Sequence, residues 1–169
     1  MPETAVPVTI RALSAADAET YNAFFRQGAL AHPDSLRISP ADIAEAPFKT
    51  EHGPDGATFV AQSAEGTWLG VVSVERERGR EKRRHIAWVL RMYVAASAAG
   101  HGVGKQLLLA ALARAQELPG VAKVNLTVAA HNVRAVGLYS ALGFREIARE
   151  EDAFRDPTPR TELTMSLKL

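Results

Sequence analysis

The 169-residue chain contains no cysteine. This removes disulfides, thiolate metal ligands and a thiol nucleophile at once, and gives no reason to expect an oxidising compartment. It also lacks an excess of either charge: 20 Lys and Arg face 19 Asp and Glu, a net +1, so no overall field recruits nucleic acid or an anionic membrane. No apolar run reaches the ~20 residues that span a bilayer. Met1–Pro7 lacks the basic start and apolar stretch of a secretion signal. Internal repeats and low-complexity segments are missing too. With 47% hydrophobic and 23% charged residues, the composition is that of an ordinary folded protein. The expectation is one cytoplasmic domain over residues 1–169, whose partners are decided by local features.

Hydrophobic periodicity divides the chain into alternating elements. Val8 to Ala12 reads as a strand, and Ser14 with Asp17 as a helix start. The helix runs to about Leu30, because Ala18, Tyr21, Phe24, Phe25 and Ala29 recur at helical spacing before His32-Pro33-Asp34 breaks the pattern. A short second helix starts at Ser39-Pro40, and the Pro- and Gly-bearing residues 46–56 read as a surface loop. From Ala57 the period becomes strand-like. Residues 57–62, 67–74 and 85–94 predict a three-strand meander, with the charged segment Arg76 to Arg84 as a hairpin tip. Leu107, Leu108, Ala111, Leu112 and Ala115 then mark a helical face ended by Pro119-Gly120. Val121 to Val128 is a strand and Asn132 to Leu142 a helix closed by Gly143. Phe144 to Phe154 and Thr161 to Leu169 form a terminal antiparallel pair.

Gly100, Gly102 and Gly104 join the strand ending at Val94 to the Leu107 helix. Glycines ahead of a helix let the backbone approach a ligand, and the first helical N–H groups lack internal partners at the positive end of the dipole, so the loop suits a phosphate. Two common phosphate loops do not fit. Counting back from Gly104-Lys105, a P-loop needs glycine where Ala99 stands and Ser or Thr where Gln106 stands. A dinucleotide fingerprint needs Gly-x-Gly-x-x-Gly and an acidic residue about 20 positions on. Here the spacing is Gly-x-Gly-x-Gly, and position 120 is glycine.

A third loop does fit. Ala99-Gly100-His101-Gly102-Val103-Gly104 after Met92-Tyr93-Val94, followed by Asn132, Tyr139 and Gly143-Phe144, resembles the GNAT superfamily of N-acetyltransferases over roughly residues 58–169. The resemblance implies an α/β (α+β) GNAT fold: a mixed, mostly antiparallel sheet of about six to seven strands, flanked by helices and splayed at the cofactor site. It implies acetyl-CoA as acyl donor, with no metal. The pyrophosphate would rest on the backbone N–H groups of His101, Gly102, Val103, Gly104 and Lys105, with Gly100 also in the cofactor-binding loop. The pantetheine arm would lie along Met92, Tyr93 and Val94, with Asn132 as cofactor contact or helix cap. In the resemblance Tyr139 is the general acid for the departing thiolate, and a strand N–H holds the acetyl carbonyl. The acceptor is a small-molecule or peptide amine, and a homodimer is left open. A non-catalytic acyl-CoA-binding module is the alternative. An ATP- or NAD-binding protein is the rival outside the family.

The chain departs from the family pattern in three places. Ala99 replaces the usual Arg or Gln and Ala96 a common proline, which predicts weaker coenzyme binding and leaves Lys105 or Arg134 as sources of charge. Trp88 stands where many relatives carry a glutamate base. An amine with pKa about 10.4 costs about 4 kcal/mol to deprotonate at neutral pH, so a relay is needed; Glu75, Glu77, His85 and His131 are considered and none is assigned. Arg76, Arg78, Arg80, Lys82, Arg83 and Arg84 read first as a solvated tip, and second as a guide for an acidic substrate. Tyr21, Phe25, His32, Trp68, Trp88 and Phe154 are candidates to line the acceptor side, where aromatic residues are usually core.

Overall fold

Strand-forming segments pair into one sheet in a computed structural model that describes residues 6–169. The first five residues of the segment considered as a secretion signal lie outside it. The strands are β1 (Thr9–Ala12), β2 (Gly56–Gln62), β3 (Trp68–Arg76), β4 (Ile86–Val94), β5 (Lys123–Ala129), β6 (Arg145–Arg155) and β7 (Pro159–Lys168). They lie in the order β1-β2-β3-β4-β5-β7-β6. Neighbours are antiparallel except β4 and β5, which are parallel. The expected meander is therefore extended by β1, and β7 rather than β6 lies beside β5. The result is the mixed GNAT-type sheet, at the upper end of the expected strand number.

Four α-helices cover the sheet: α1 (Ala18–Ala31), α2 (Pro40–Glu45), α3 (Val103–Glu117) and α4 (Val133–Ala141). The expected starts hold. The Asp17 carboxylate accepts from Ser14 N–H at 2.9 Å ahead of α1. At α2 the Ser39 hydroxyl accepts from Asp42 N–H at 3.2 Å while the Asp42 carboxylate accepts from Ser39 N–H at 2.8 Å, a reciprocal cap. The β5 strand begins two residues later than expected because the turn after α3 runs on, with Val121 N–H donating to the Leu118 carbonyl at 3.1 Å.

Strand alternation sends side chains to two apolar clusters. Val72, Val74, Val89, Val124, Leu126, Leu163 and Met165 meet Leu107, Leu108 and Leu112 of α3 and Tyr139 of α4. Val60 and Val71 meet Tyr21, Phe25 and Ala29 of α1 and Ile43 of α2 on the other face. Leu107 and Leu108 are fully buried, and burial of each is worth roughly 1.5–3 kcal/mol. Helices α3 and α4 thus own one face of β4, and α1 and α2 the other. No helix among the described residues is long and apolar enough to cross a membrane.

Candidate functional site

The seam between β4 and β5 opens. Pairing covers Ile86 with Lys123, Ala87 with Val124 and Trp88 with Asn125 and then stops, although both strands continue. From Val89 onward, the main-chain groups of β4 that face β5 have no ladder partner. On its other edge β4 carries a bulge. Val71 opposes Tyr93 and Ser73 opposes Leu90, so Arg91 and Met92 together face Val72. Arg91 sits at φ 50. A bulge bends its strand and re-aims its side chains, and here successive side chains divide between the faces. Met92 lies against α4, whereas Arg91 and Tyr93 lie against α1.

At the end of β4, a tight turn holds the approach to the glycine loop without a proline. Ala98 N–H donates to the Ala95 carbonyl at 2.9 Å and Ala99 N–H to the Ala96 carbonyl at 3.3 Å. Gly100 and Gly102 follow at φ 81 and 76, a region disfavoured for residues with a Cβ. The first bond of α3 runs from Gln106 N–H to the Gly102 carbonyl at 3.1 Å. The N–H groups of Val103, Gly104 and Lys105 therefore precede the helical ladder and stay available. Gly104 has a second role: a Cβ there would lie 3.3 Å from Met92 Cε and 3.5 Å from Leu138 Cδ2. Its bareness is what lets the start of α3 approach β4 and α4. The Lys105 and Arg134 side chains are exposed, and the Val103 side chain is buried in the core.

Tyr139 projects from α4 toward the open seam. Its hydroxyl donates to Met92 Sδ at 3.5 Å, and its ring meets Phe144 edge-on at 5.9 Å between centroids. Burial pushes its hydroxyl up to about 12, so the proton stays in place at neutral pH. Asn132 caps α4, its Oδ1 accepting from Ala135 N–H at 3.2 Å, which leaves its amide N–H₂ for another partner. The structure thus brings Met92, Val94, the glycine loop and Tyr139 around one opening.

Three of the four groups considered for the base are engaged with other side chains. Glu77 is gripped by the Arg83 guanidinium and accepts from Trp88 Nε1 at 2.9 Å. His85 is exposed. His131 Nε2 lies 3.3 Å from Asp34. Glu75, opposite Trp88 on β3, pairs with His52 Nδ1 at 3.2 Å, and that hydrogen bond holds its carboxyl below the ordinary range. Asn125, where the strands part, is buried with an Oδ1 that has no hydrogen-bond partner among the described residues.

Two expectations are corrected. Tyr21 and Phe25 do not line an acceptor surface; they are 0% and 1% exposed and stack on one another beneath α1. Trp68 and His32 pack on Phe24 and Tyr93, while Trp88 and Phe154 keep partial exposure. Arg76 is no solvated tip residue. It is buried, with Nε donating to Asp55 at 3.1 Å, Nη2 to the Pro119 carbonyl at 2.8 Å and Nη1 to the Arg84 carbonyl.

The side of the opening covered by α1 and the α1–α2 segment also holds residues that sequence reading missed. Arg91 is one: nothing in a Leu-Arg-Met run signals a bulge or a positive φ. Glu162 is another. It lies on β7 opposite Ala129, is 8% exposed, and is reached by Arg37 from the segment between α1 and α2 at 3.0 Å. Arg37 also approaches Thr127 of β5 at 3.5 Å. Together with the Asp34 to His131 pair, this straps the α1–α2 segment, which starts on the β4 side, across to the β5 side of the opening. Among the described residues no group of three His, Asp or Glu is placed to hold a metal ion. A hollow of ≈ 860 Å³ bordered by Ile10, Phe59, Ala110 and Arg114 includes no residue of β4, the glycine loop or α4.

A family model described as "Acetyltransferase (GNAT) family" matches residues 19–144. No curated protein sequence matches the chain. Among solved structures, a GCN5-related N-acetyltransferase from Kribbella flavida is similar at 28% identity and a TM-score of 0.82, covering 96% of this chain and 98% of that one. A GNAT-family acetyltransferase from Streptococcus pneumoniae is similar at 22% identity and 0.82, covering 96% and 100%. A phosphinothricin acetyltransferase from Sinorhizobium meliloti, solved in complex with acetyl-CoA, is similar at 22% and 0.79, covering 96% and 88%.

Proposed function

The chain belongs to the acetyltransferase (GNAT) family, and from that premise we propose that it transfers the acetyl group of acetyl-CoA to a primary amine of a small molecule or peptide. The observation that carries the reading is the open seam. β4 leaves β5 after Trp88, and the free backbone of β4, the unladdered N–H groups of α3 and the Tyr139 hydroxyl border the same opening. The residues fit the coenzyme. Gly100 and Gly102 hold a conformation that frees N–H groups for a pyrophosphate, with His101, Val103, Gly104 and Lys105 as the remaining donors and Asn132 at the start of α4.

When bound, acetyl-CoA supplies an activated thioester. In the proposal, an N–H on the open side of Met92, Tyr93 or Val94 is fixed before reaction and takes the negative charge that grows on the carbonyl oxygen as the amine attacks. Tyr139, which burial keeps protonated at neutral pH, would pass its proton to the departing sulfur as the attacking nitrogen gives up a proton that restores the hydroxyl, so that amine and thioester become amide and thiol. The whole chain acts as one acetyltransferase domain in this reading.

Calorimetry with acetyl-CoA and thiol release across an amine panel test it. Binding with turnover is the expected result; binding without turnover on any amine would favour the non-catalytic acyl-CoA module, which the engaged state of Glu75 and Glu77 keeps in play. Stabilisation by ATP or NAD but not by acetyl-CoA would overturn both readings.

A further inference from the structure

We propose that the cleft beneath Arg91 is a carboxylate subsite for the acceptor, so that the amine acetylated here belongs to a small amino-acid-like molecule. The inference rests on the acetyltransferase reading and deepens it. The cleft measures ≈ 410 Å³, within the range for small-molecule sites, and its lining sets Lys49, Arg78 and Arg91 against Glu51 and Glu75, three cations to two carboxylates.

Arg91 is the centre of it. The bulge forces this residue to φ 50 and aims it at the α1 face, and strained backbone held by its surroundings points toward function. Its side chain is 11% exposed. The guanidinium lies 4.5 Å above the Phe48 ring, and Nε donates to the Tyr21 hydroxyl at 3.2 Å. Phe48 is itself fixed, because Asn22 takes its N–H at 2.8 Å and donates to its carbonyl at 2.9 Å.

The outer nitrogens of Arg91 are not used up. Nη2 stands 3.9 Å from Glu75 Oε1, beyond hydrogen-bond reach, while Glu75 Oε2 is taken by His52 at 3.2 Å and approached by Arg78 at 3.7 Å. A nearly buried, pre-oriented guanidinium with free paired donors matches a carboxylate in a way a lysine cannot. The two rim carboxylates set a limit in the other direction, since a doubly charged phosphate would be repelled by them.

Position supplies the link to the reaction. Arg91 immediately precedes Met92, whose sulfur touches Tyr139, so β4 carries the Arg91 cleft on its α1 face and Tyr139 on its α4 face, and the acceptor in this proposal reaches the open seam from the α1 side. The exposed Arg80, Lys82 and Arg84 of the β3–β4 connection continue the positive charge outward from Arg78, which favours approach of an anionic acceptor.

Matched acceptors test this: each standard α-amino acid against its α-amide, read by thiol release. The acid of at least one pair is expected to exceed its amide by tenfold or more in kcat/KM. Arg91→Gln should cut that ratio by at least tenfold, through KM rather than kcat. Acids and amides used equally well, or a loss in Arg91→Gln that is the same for both, would overturn the proposal. Arg78→Gln, at a side chain 65% exposed, serves if Arg91→Gln fails to fold; the acid KM is expected to rise about threefold, and no rise would count against the cleft. Direct titration of the same acids and amides separates the two readings. If acetyl-CoA does not bind, the acetyltransferase reading falls, while selective binding of an acid still supports the subsite. Binding of neither acid nor amide, with or without coenzyme A present, sinks the subsite.

Discussion

Tyr139 keeps its proton because a phenolate there would be surrounded by Met92, Phe144 and the apolar core, with nothing to solvate it. Tyr139→Phe is expected to lower kcat by about 10²-fold in thiol-release assays, the scale of a lost general acid. Its contact with sulfur is weak, so the melting temperature at neutral pH should barely move. The linkage has a definite sign. An unfolded tyrosine ionises near pH 10 and the buried one at about 12, so the stability tied to the neutral form is intact below pH 10 and is lost as pH rises toward 12. The phenylalanine variant should lose less stability over that window in melting curves.

Glu162 behaves differently, because burial raises its carboxyl above the ordinary value despite the Arg37 contact that lowers it. Its favourable contribution is present below about pH 4.5 and is lost as pH rises through its folded value. Glu162→Gln should therefore melt at a temperature equal to or above wild type near pH 7, and the difference should shrink or reverse near pH 4. Residue types at these places were legible to different degrees. Tyr139 stood out through its spacing from Asn132 and Gly143. Glu162 sits in a plain alternating strand, and its burial depends on Arg37 arriving from 125 positions earlier.

At the level of elements, the glycine loop was readable because its geometry is local: positive φ and an early helix start are written in the glycines themselves. Gly102→Val forces a β-branched residue to φ 76, and acetyl-CoA affinity by calorimetry is expected to fall by at least tenfold. The β4 bulge was not readable. It arises from how β3 and β4 register around Val72, a relation between strands with no marker in either. The β3–β4 connection misled for a similar reason. In a run of alternating charges, Arg76 looks like its neighbours, yet its donors reach Asp55 and the Pro119 carbonyl, groups distant in sequence. Arg76→Ala removes three hydrogen bonds of a buried guanidinium; with about 1.5–3 kcal/mol for one such bond and partial compensation by water, a loss of roughly 3 kcal/mol should appear in chemical denaturation.

For the whole molecule, the strand order β5-β7-β6 could not be read from periodicity, since either terminal strand alternates well enough to lie beside β5. The opening of the seam was implied by the family pattern, while its extent, three residue pairs before the strands part, came from the structure. A ligand seated there joins two parts of the sheet otherwise linked by little backbone. Acetyl-CoA at 100 times its dissociation constant should add about 2.7 kcal/mol, and amide exchange should slow in Val89–Val94 and at the start of α3 together.

The parted seam has an evolutionary consequence. On the proposed reading, the donor is recognised by main-chain groups of β4 and α3, which most side-chain substitutions leave intact, while the acceptor is recognised by side chains on the α1 face, Arg91 foremost. Drift in the second set can change what is acetylated without disturbing what acetylates it. A chain with Ala99 and Trp88 where the family pattern has Arg or Gln and Glu can, on this reading, keep one half of its chemistry fixed while the other half is replaced.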